Sequence, residues 1–470
     1  MSYSPALTYF LDRLSGFSTN VFRLEAQNND SATANKILRF TLPSNALLNM
    51  RSFALHFNAS ANLTPLAGGR LPAKIDTLID RVEVACGGVQ LSSGANFYNV
   101  LRHAKDALEG DKTNPVYGHP NIVRTTSYVD GFGDAGTSGL TGKENESYPD
   151  DNKACQFCID HFEGFLSTCD PKIIDSSLLS DIVISIYLAD NNVLSSCEGV
   201  ALSGTGADDI VDENDVKATY QMKNIHATIE CIGLAGSVYN NMVAGMIAST
   251  GFLEVPFKQY FSFQDSVPNT MRFTVATQSL DRIWVAHRQD AFNTSAGAVL
   301  VRGHKVSGAF VDDTTGGTAA DVDIGVPEFD IGGNFDYNSE KYVGQYVNFT
   351  EPPSNSKNLY QFQLNGAYYP QFRATFEEMN QISKNSVNKS GKMCNYSLFT
   401  AKANYSVQCI RLNMPESEYG RLISGLDTRS VSLNGYYTMD NVQAARTVNL
   451  FCECSSTLRI GAGRMIEVVQ

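Results

Sequence analysis

Alternation of apolar and other side chains with a period of two runs through most of this 470-residue chain. The segment IVISIYL, which begins at Ile182, places an isoleucine or leucine at every second position. Because successive side chains of a strand point to opposite faces, this pattern is typical of strands that bury one face in a core. Turn pairs such as Gly87-Gly88 and Asn191-Asn192 separate the segments. The chain is therefore predicted to be all-β, built from β-sandwiches rather than βαβ units.

Further segments carry the same strand pattern. They begin at Ile37, Phe53, Arg81, His226, Met271, Tyr405, Thr447 and Gly463. A few short helices are predicted between the strands. One is an apolar stripe from Phe97 to Leu108, one runs from Val238 to Ile247, and one begins at Thr375, which forms a capping box with Glu378.

The length of the chain exceeds what a single hydrophobic core normally supports, since cores stop growing near about 250–300 residues. We predict an N-terminal arm over residues 1–20, a first sandwich over 21–215 and a second over 216–470. Polar stretches rich in Gly, Asp, Asn, Ser and Thr, at about 109–153 in the first half and about 291–342 in the second, are predicted to be long surface loops.

Two short phrases occur once in each half of the chain. The pattern apolar-Asp-Arg-apolar-any-Val begins at Ile79 and again at Leu280, and Met-Arg precedes a strand-like segment after both Asn49 and Asn269. The two phrases occur in the same order in both halves. The distances along the chain between the copies of each phrase differ by about the length of one loop. These matches favour a duplicated sandwich.

The charge of the chain excludes some classes of function. Its formal net charge is −13 and its pI is about 5.0, which argues against a surface that neutralises nucleic-acid phosphates. No stretch reaches the roughly 18–20 apolar residues of a membrane span, and the segment that begins at Met1 has no basic n-region. We therefore expect a protein that does not cross a membrane and does not bind nucleic acid directly.

Ten cysteines are present, and most are expected to be buried free thiols. One cluster combines Cys155, Cys158, His161 and Cys169, whose types could complete a tetrahedral zinc site. The segment has no second Cys-x-x-Cys, so metal binding stays an open alternative. We assign no catalytic, cofactor-binding or metal residue from the sequence.

An ordered set of phrases resembles a known family. The phrases are ISIYLADNNVL, YQMKNIHATIECI, LEVPFKQYFSF, TVATQSLDRIWV, FQLNGAYYPQFRATFEEM, ISGLDTRSVSLNGYY and LFCECSSTLRIGAGRMIEVV. Together they resemble the double jelly-roll major capsid proteins of tailless icosahedral double-stranded DNA viruses. The likeness is greatest to those of polinton-like viruses, virophages and nucleocytoplasmic large DNA viruses.

The resemblance implies two tandem eight-stranded jelly-roll sandwiches and a structural role. In this family three chains form a capsomer with a hexagonal outline, and capsomers tile the shell of the virion. The expected partners are the chain itself, as a homotrimer and then in neighbouring capsomers, minor capsid or penton proteins, and an internal membrane where one is present. No cofactor is implied, and assembly inside a host cell is expected.

Two other classes of function stay open as alternatives. A carbohydrate-binding β-sandwich would use exposed aromatic side chains such as those in GAYYPQF, with Tyr368, Tyr369 and Phe372. A metal-dependent oxygenase of the jelly-roll type would hold Fe(II) through His-x-Glu and a distant histidine, a form that His161, Glu163 and His226 have. The pairs Asp80-Arg81 and Asp281-Arg282 are interpreted as structural rather than catalytic.

Overall fold

A computed structural model of the chain describes residues 17–27, 31–61, 67–70, 75–109, 155–193, 195–198, 219–234, 237–266, 270–289, 304–306, 309–312, 317–318, 359–387, 407–414, 424–429, 434–439 and 446–470. The predicted N-terminal arm, apart from residues 17–20, and the predicted loop at about 109–153, apart from Glu109, lie outside these ranges. Within the predicted loop at about 291–342, three short strands are described.

The first sandwich is antiparallel throughout. Its strands and those next to it are β1 (Phe17–Glu25), β2 (Ala32–Thr33), β3 (Ile37–Thr41), β4 (Leu47–Ala61), β5 (Ala67–Arg70), β6 (Ile79–Cys86), β7 (Val89–Ser92), β8 (Cys155–Ile159), β9 (Ile173–Asp175), β10 (Ile182–Leu188), β11 (Ser195–Glu198) and β12 (Tyr220–Leu234). Helix α1 (Tyr98–Glu109) follows β7, and the one-turn helix α2 (Phe165–Thr168) follows β8. One sheet has the order β1-β12-β4-β8, with β2 and β9 beside it, and the other has the order β3-β10-β6-β7.

Helix α3 (Ser237–Thr250) connects this sandwich to the second one. The strands that follow are β13 (Phe252–Ser266), β14 (Thr270–Phe273), β15 (Leu280–Gln289), β16 (His304–Val306), β17 (Ala309–Asp312), β18 (Gly317–Thr318), β19 (Tyr360–Leu364), β20 (Ala367–Ala374), β21 (Val407–Arg411), β22 (Gly435–Met439), β23 (Arg446–Gly461) and β24 (Ile466–Val469). Helix α4 (Phe376–Val387) lies between β20 and β21. The main sheets have the orders β13-β23-β15-β21, with β24 beside β23, and β14-β22-β19-β20.

The same topology occurs twice. When the eight main strands of each sandwich are counted along the chain, the first sheet has the order 1-8-3-6 and the second has the order 2-7-4-5, in both halves. This arrangement is the jelly roll, in which two four-stranded sheets enclose one core. The predicted pair of eight-stranded jelly rolls is therefore confirmed. Two smaller sheets, β5 with β11 and β16-β17-β18, lie in the long connections.

Local sequence explains the hairpin and helix that recur in both rolls. The fourth and fifth strands are joined by Gly87-Gly88 in the first roll and by Asn365-Gly366 in the second, and all four residues have positive φ. Glycine and asparagine adopt this conformation most readily, so these pairs suit two-residue hairpin turns. A helix follows each hairpin, α1 in one roll and α4 in the other.

The predicted helices are confirmed. Helix α4 begins with the capping box, since the backbone N–H of Thr375 donates to Glu378 Oε2 at 2.8 Å and the Glu378 N–H donates to Thr375 Oγ1 at 3.4 Å. Helix α1 ends one residue before Gly110, and α3 extends the predicted segment by a few residues at its C-terminal end. The segment MRFTVAT, from Met271, carries the strand pattern throughout, but β14 ends at Phe273.

The two rolls divide later in the chain than the predicted boundary at residue 215. Strand β12, which we expected to open the second roll, pairs with β1 and β4 and completes the first sheet of the first roll. A jelly roll needs its eighth strand between its first and third, and β12 supplies it. The two rolls are therefore joined by α3, and the second begins with β13.

The repeated phrases do not lie at equivalent positions, which corrects the argument from duplication. Ile79 begins β6, the fourth strand of its roll, whereas Leu280 begins β15, the third strand of the other. Asn49 lies in β4, the third strand, and Asn269 precedes β14, the second. The repeat is real in the topology of the sheets, but these short phrases match by chance.

Candidate functional site at the junction of the two jelly rolls

The sheet β13-β23-β15-β21 of the second roll buries both of its faces. Ile283 and Val285 in β15 pack into the core of the second roll. On the opposite face Trp284, Phe451 and Cys409 are fully buried and belong to a hydrophobic cluster that is continuous with the core of the first roll. This second buried face is the junction between the rolls.

Lys105 of α1 lies at the centre of the junction. Its Nζ donates to Glu163 Oε2 at 2.6 Å and to the hydroxyl of Tyr260 in β13 at 2.9 Å. The ammonium group also lies 5.9 Å from the ring centroid of Trp284. Lys105 is 6% exposed, and such burial of an ammonium is tolerated only where partners compensate its charge. One lysine thus contacts both rolls at once.

Glu163 neutralises two cations from α1. Its second oxygen, Oε1, accepts from Arg102 Nη1 at 3.0 Å, and its backbone N–H donates to the Tyr98 hydroxyl at 2.8 Å. Burial by itself would raise the pKa of Glu163, but Lys105 and Arg102 outweigh that effect and hold this pKa well below its ordinary value. Glu163 therefore stays ionised at neutral pH, as the buried pairs require.

A second carboxylate lies on the side of the junction that belongs to the second roll. Trp284 Nε1 donates to Glu453 Oε2 at 2.9 Å, and Arg282 Nη1 lies 3.6 Å from Glu453 Oε1. Burial opposes ionisation of Glu453, but Arg282, Lys105 and Lys258 lower its pKa below the ordinary value. The junction thus combines an aromatic core with carboxylates that neighbouring cations keep ionised.

Contacts around this centre join the rolls along their length. Phe165 of α2 packs edge-on against Phe257 of β13, with ring centroids 5.1 Å apart. Arg288 is fully buried and its guanidinium lies 5.6 Å from the ring centroid of Phe97. The Asn96 N–H donates to Ser262 Oγ at 3.0 Å. These directional contacts fix one orientation of the rolls, whereas apolar packing alone would tolerate several.

Comparison with solved structures gives matches over nearly the whole chain. The PBCV-1 protein VP54, fitted into a cryo-EM reconstruction of the virophage Sputnik, has a TM-score of 0.56 and 12% identity, over 100% of this chain and 98% of that chain. A quasi-atomic model of the PBCV-1 capsid has a TM-score of 0.50 and 11% identity, over 100% and 98%. The Faustovirus major capsid protein has a TM-score of 0.50 and 12% identity, over 95% and 91%.

The strand order and these matches agree. The chain has the double jelly-roll fold of viral major capsid proteins. At 11 to 12% identity the property that is shared is the fold. No protein-family model and no curated protein sequence matches the chain.

The double jelly roll uses its two Asp-Arg pairs for structure. Arg81 forms an ion pair with Glu83 and donates from Nε to the Ser93 carbonyl at 2.9 Å, which ties the end of β7 to β6. Asp281 accepts from Lys258 Nζ at 2.5 Å and from Ser455 Oγ at 2.6 Å. Arg81 of the first pair thus stabilises a strand contact in the first roll. Asp281 of the second pair links strands β13, β15 and β23 of the second roll.

The candidate zinc residues lie on different elements. Cys158, on β8, is opposite His56 of β4, whereas Cys169 is fully buried at the end of α2. Burial raises the pKa of Cys158 to about 11 and that of Cys169 to about 12, so both are neutral thiols at pH 7. The side chain of Cys155 lies outside the described residues. Among the side chains that are described, no group of three or more His, Cys, Asp or Glu has a metal-binding arrangement.

Two of the candidate iron ligands, Glu163 and His226, have other partners. Both oxygens of Glu163 accept hydrogen bonds from Arg102 and Lys105. His226 instead stacks on His56, with ring centroids 5.1 Å apart and an interplanar angle of 13°. The His-x-Glu segment therefore belongs to the junction, which the sequence pattern did not indicate.

The aromatic residues proposed for carbohydrate binding lie on β20, at the edge of its sheet. Tyr368 is 46% exposed and Phe372 is 52% exposed, while Tyr369 is half-buried. The edge strand thus presents aromatic surface to solvent. Within the described ranges, no helix is long and apolar enough to span a membrane.

Sequence reasoning missed the residues of the junction. A usable signal exists in the strands, because charged residues interrupt apolar runs at Arg282 and Glu453. In α1, Lys105 adjoins the apolar stripe. Ionisable groups at otherwise buried positions indicate a second packed face.

Proposed function

We propose that the chain is a major capsid protein. Three copies associate into a pseudo-hexameric capsomer, and capsomers tile the icosahedral shell of a double-stranded DNA virus. The single observation that carries this proposal is a jelly roll repeated with the same strand order and packed against its copy through a buried junction. Two near-equal units per chain give six per trimer, which is the number that a hexagonal tile needs.

The buried junction supports this role because it sets the angle between the two jelly rolls. A capsid subunit must keep that angle constant, since an error at each junction would accumulate around a closed shell. Buried ion pairs such as Lys105 with Glu163 are weak sources of net stability but give a specific geometry, because they are satisfied in one arrangement only. A structural protein that repeats its contacts many times benefits from that specificity.

The same proposal covers partners and location. The chain acts in the virion shell and contacts other copies of itself, minor capsid or penton proteins, and an internal membrane where the virus has one. The net charge of −13 agrees with a shell protein that does not bind nucleic acid directly. The role requires no enzymatic activity and no cofactor.

A carbohydrate-binding β-sandwich is the second candidate, because Tyr368 and Phe372 are exposed on β20. In a capsid the same side chains would contact a neighbouring subunit, since aromatic residues are enriched in interfaces. A glycan array probed with the purified protein separates these functions. Binding that is lost in the Tyr368→Ala/Phe372→Ala variant would favour the carbohydrate function.

Size-exclusion chromatography with light scattering, followed by negative-stain electron microscopy, tests the capsid function directly. We expect a mass of three times 51.3 kDa and particles with a hexagonal outline. A stable monomer at every concentration, with no shell-like particles, would exclude the proposed function.

A further inference from the structure

One sheet in each roll occupies the same topological position, but within the part of the chain that the structure describes only the sheet of the second roll has its outer face buried. In the second roll, a row across β23, β15 and β21 consists of Phe451, Trp284 and Cys409, which are cross-strand partners and fully buried against the first roll. In the first roll, a row across β12, β4 and β8 consists of His226, His56 and Cys158, which are also cross-strand partners. Those three side chains are only half-buried.

Other outward residues of the first sheet are also half-buried or exposed. Thr228 and Glu230 of β12 and Asn58 of β4 are half-buried, and their partners on β1 include Arg23, which is exposed. Residues opposite one another on paired strands share a face, so these side chains form one surface with His56 and His226. We call this surface the open face, defined by Arg23, His56, Asn58, His226, Thr228 and Glu230.

The element that covers the second roll also has a counterpart. Helix α1 follows the fifth strand of the first roll and buries Arg102 and Lys105 against the sheet of the second. Helix α4 follows the fifth strand of the second roll, but its residues Glu377, Gln381 and Asn385 are exposed. Among the described residues, a single chain therefore has one helix-on-sheet contact of this kind, one open face and one exposed helix surface.

We propose that the open face binds helix α4 of a second copy of this chain, repeating between chains the contact that α1 makes within one. The proposal rests on the proposed function and names the surfaces through which that trimer closes. The open face and α4 are different surfaces, so the contact is head-to-tail, and a rotation of one third of a turn closes it into a ring of three. Each ring then contains three contacts within chains and three between them.

The chemistry of the two sheets agrees with this assignment. The covered face carries Trp284 and Phe451, which never meet water in the folded chain. The open face carries Arg, His, Thr, Asn and Glu side chains, which water solvates on a free subunit and which require hydrogen-bonding partners where a contact buries them. The exposed carboxylate and amides of α4 supply hydrogen-bonding partners for these groups.

The test uses the full chain and measures its mass by light scattering. The Thr228→Arg/Asn58→Arg variant adds two long cations to the open face, at half-buried positions that point away from the core. The matched control is Thr438→Arg, at a half-buried position of β22 between the buried Tyr437 and Met439. We expect wild type and T438R to be trimers and the open-face variant to be a monomer with an unchanged far-ultraviolet circular dichroism spectrum.

The Glu377→Arg/Gln381→Arg variant on α4 tests the other half of the contact and should also be monomeric. A mixture of the two monomeric variants retains one intact pairing, so an amine-reactive cross-linker should give dimers of twice 51.3 kDa but no trimers. Trimers that persist in both variants would overturn the assignment of the surfaces while leaving the capsid function standing. A monomeric wild type would instead overturn the proposed function and this inference with it.

Discussion

Lys105 and Tyr260 are joined by a 2.9 Å hydrogen bond that crosses from helix α1 of the first jelly roll to strand β13 of the second. Both side chains are less than 7% exposed. Burial raises the pKa of the Tyr260 phenol well above its usual range, so its hydroxyl stays protonated and also donates to Glu163 Oε2 at 3.3 Å. The two rolls thus share one buried polar centre as well as one hydrophobic cluster.

Replacing Glu163 by Gln should destabilise the protein strongly. The substitution leaves Lys105 and Arg102 buried without their shared carboxylate, and breaking a buried pair in this way costs about 3–5 kcal/mol. Chemical denaturation measures the loss. The control is Asp427→Asn, which removes the solvent-exposed pair with Arg429 and should leave the midpoint unchanged. Equal effects of the two variants would show that the junction pair is unimportant for stability.

Trp284 is the only tryptophan in the chain and should report on separation of the rolls. It is fully buried at the junction, so its fluorescence emission should move to longer wavelength when water reaches it. Because the two rolls share a core, we expect the fluorescence transition to coincide with loss of the far-ultraviolet circular dichroism signal. A fluorescence change at lower denaturant concentration would mean that the rolls separate before they unfold.

Mild acid should weaken the fold in part through His56. Burial, and then the charge of His226 next to it, lower the pKa of His56 below its ordinary value of 6.5. The unfolded chain therefore takes up a proton more readily than the native one, and stability falls as the pH decreases through about 6.5. We expect His56→Gln to flatten the decline in denaturation midpoint between about pH 7.5 and 5.5. Parallel curves for the two proteins would contradict this.

Stronger acid should act through the carboxylates of the junction. The pKa values of Glu163 and Glu453 are lowered in the folded protein, so the stability they provide is present above the ordinary glutamate pKa of about 4.3 and is lost as the pH falls below it. In the Glu163→Gln variant this acid-dependent loss should be smaller, because one of the two groups no longer titrates. Denaturation midpoints measured from pH 5 to 3 test this, and an undiminished loss would contradict it.

The N-terminal arm should act in assembly and not in folding. Deleting residues 1–16 stops just before β1, so the first sheet keeps its edge strand. We expect the truncated chain to form capsomers with wild-type mass but to assemble shells poorly. The measurement is electron microscopy of assembly reactions at matched protein concentration. Normal shells from the truncated protein would show that the arm has no role in assembly.

Much of the fold could be predicted from short-range patterns. Period-two alternation located β10 and β6, and the capping box located the start of α4, because these signals depend on neighbouring residues only. Local patterns did not predict which strands pair with one another. Strand β12 follows a long polar segment and was assigned to the second roll, yet it pairs with β1 and β4, which lie about 200 residues earlier in the sequence.

The sequence by itself therefore determined that this protein is a pair of antiparallel sandwiches. The reason is that the apolar positions within each strand show which of its faces is buried. Only the tertiary structure decided where one roll ends, that Lys105 meets Tyr260, and that one sheet buries both faces while its counterpart leaves one half-open. Those outcomes depend on which distant surfaces meet in space, and a linear pattern of apolar and polar residues does not record that.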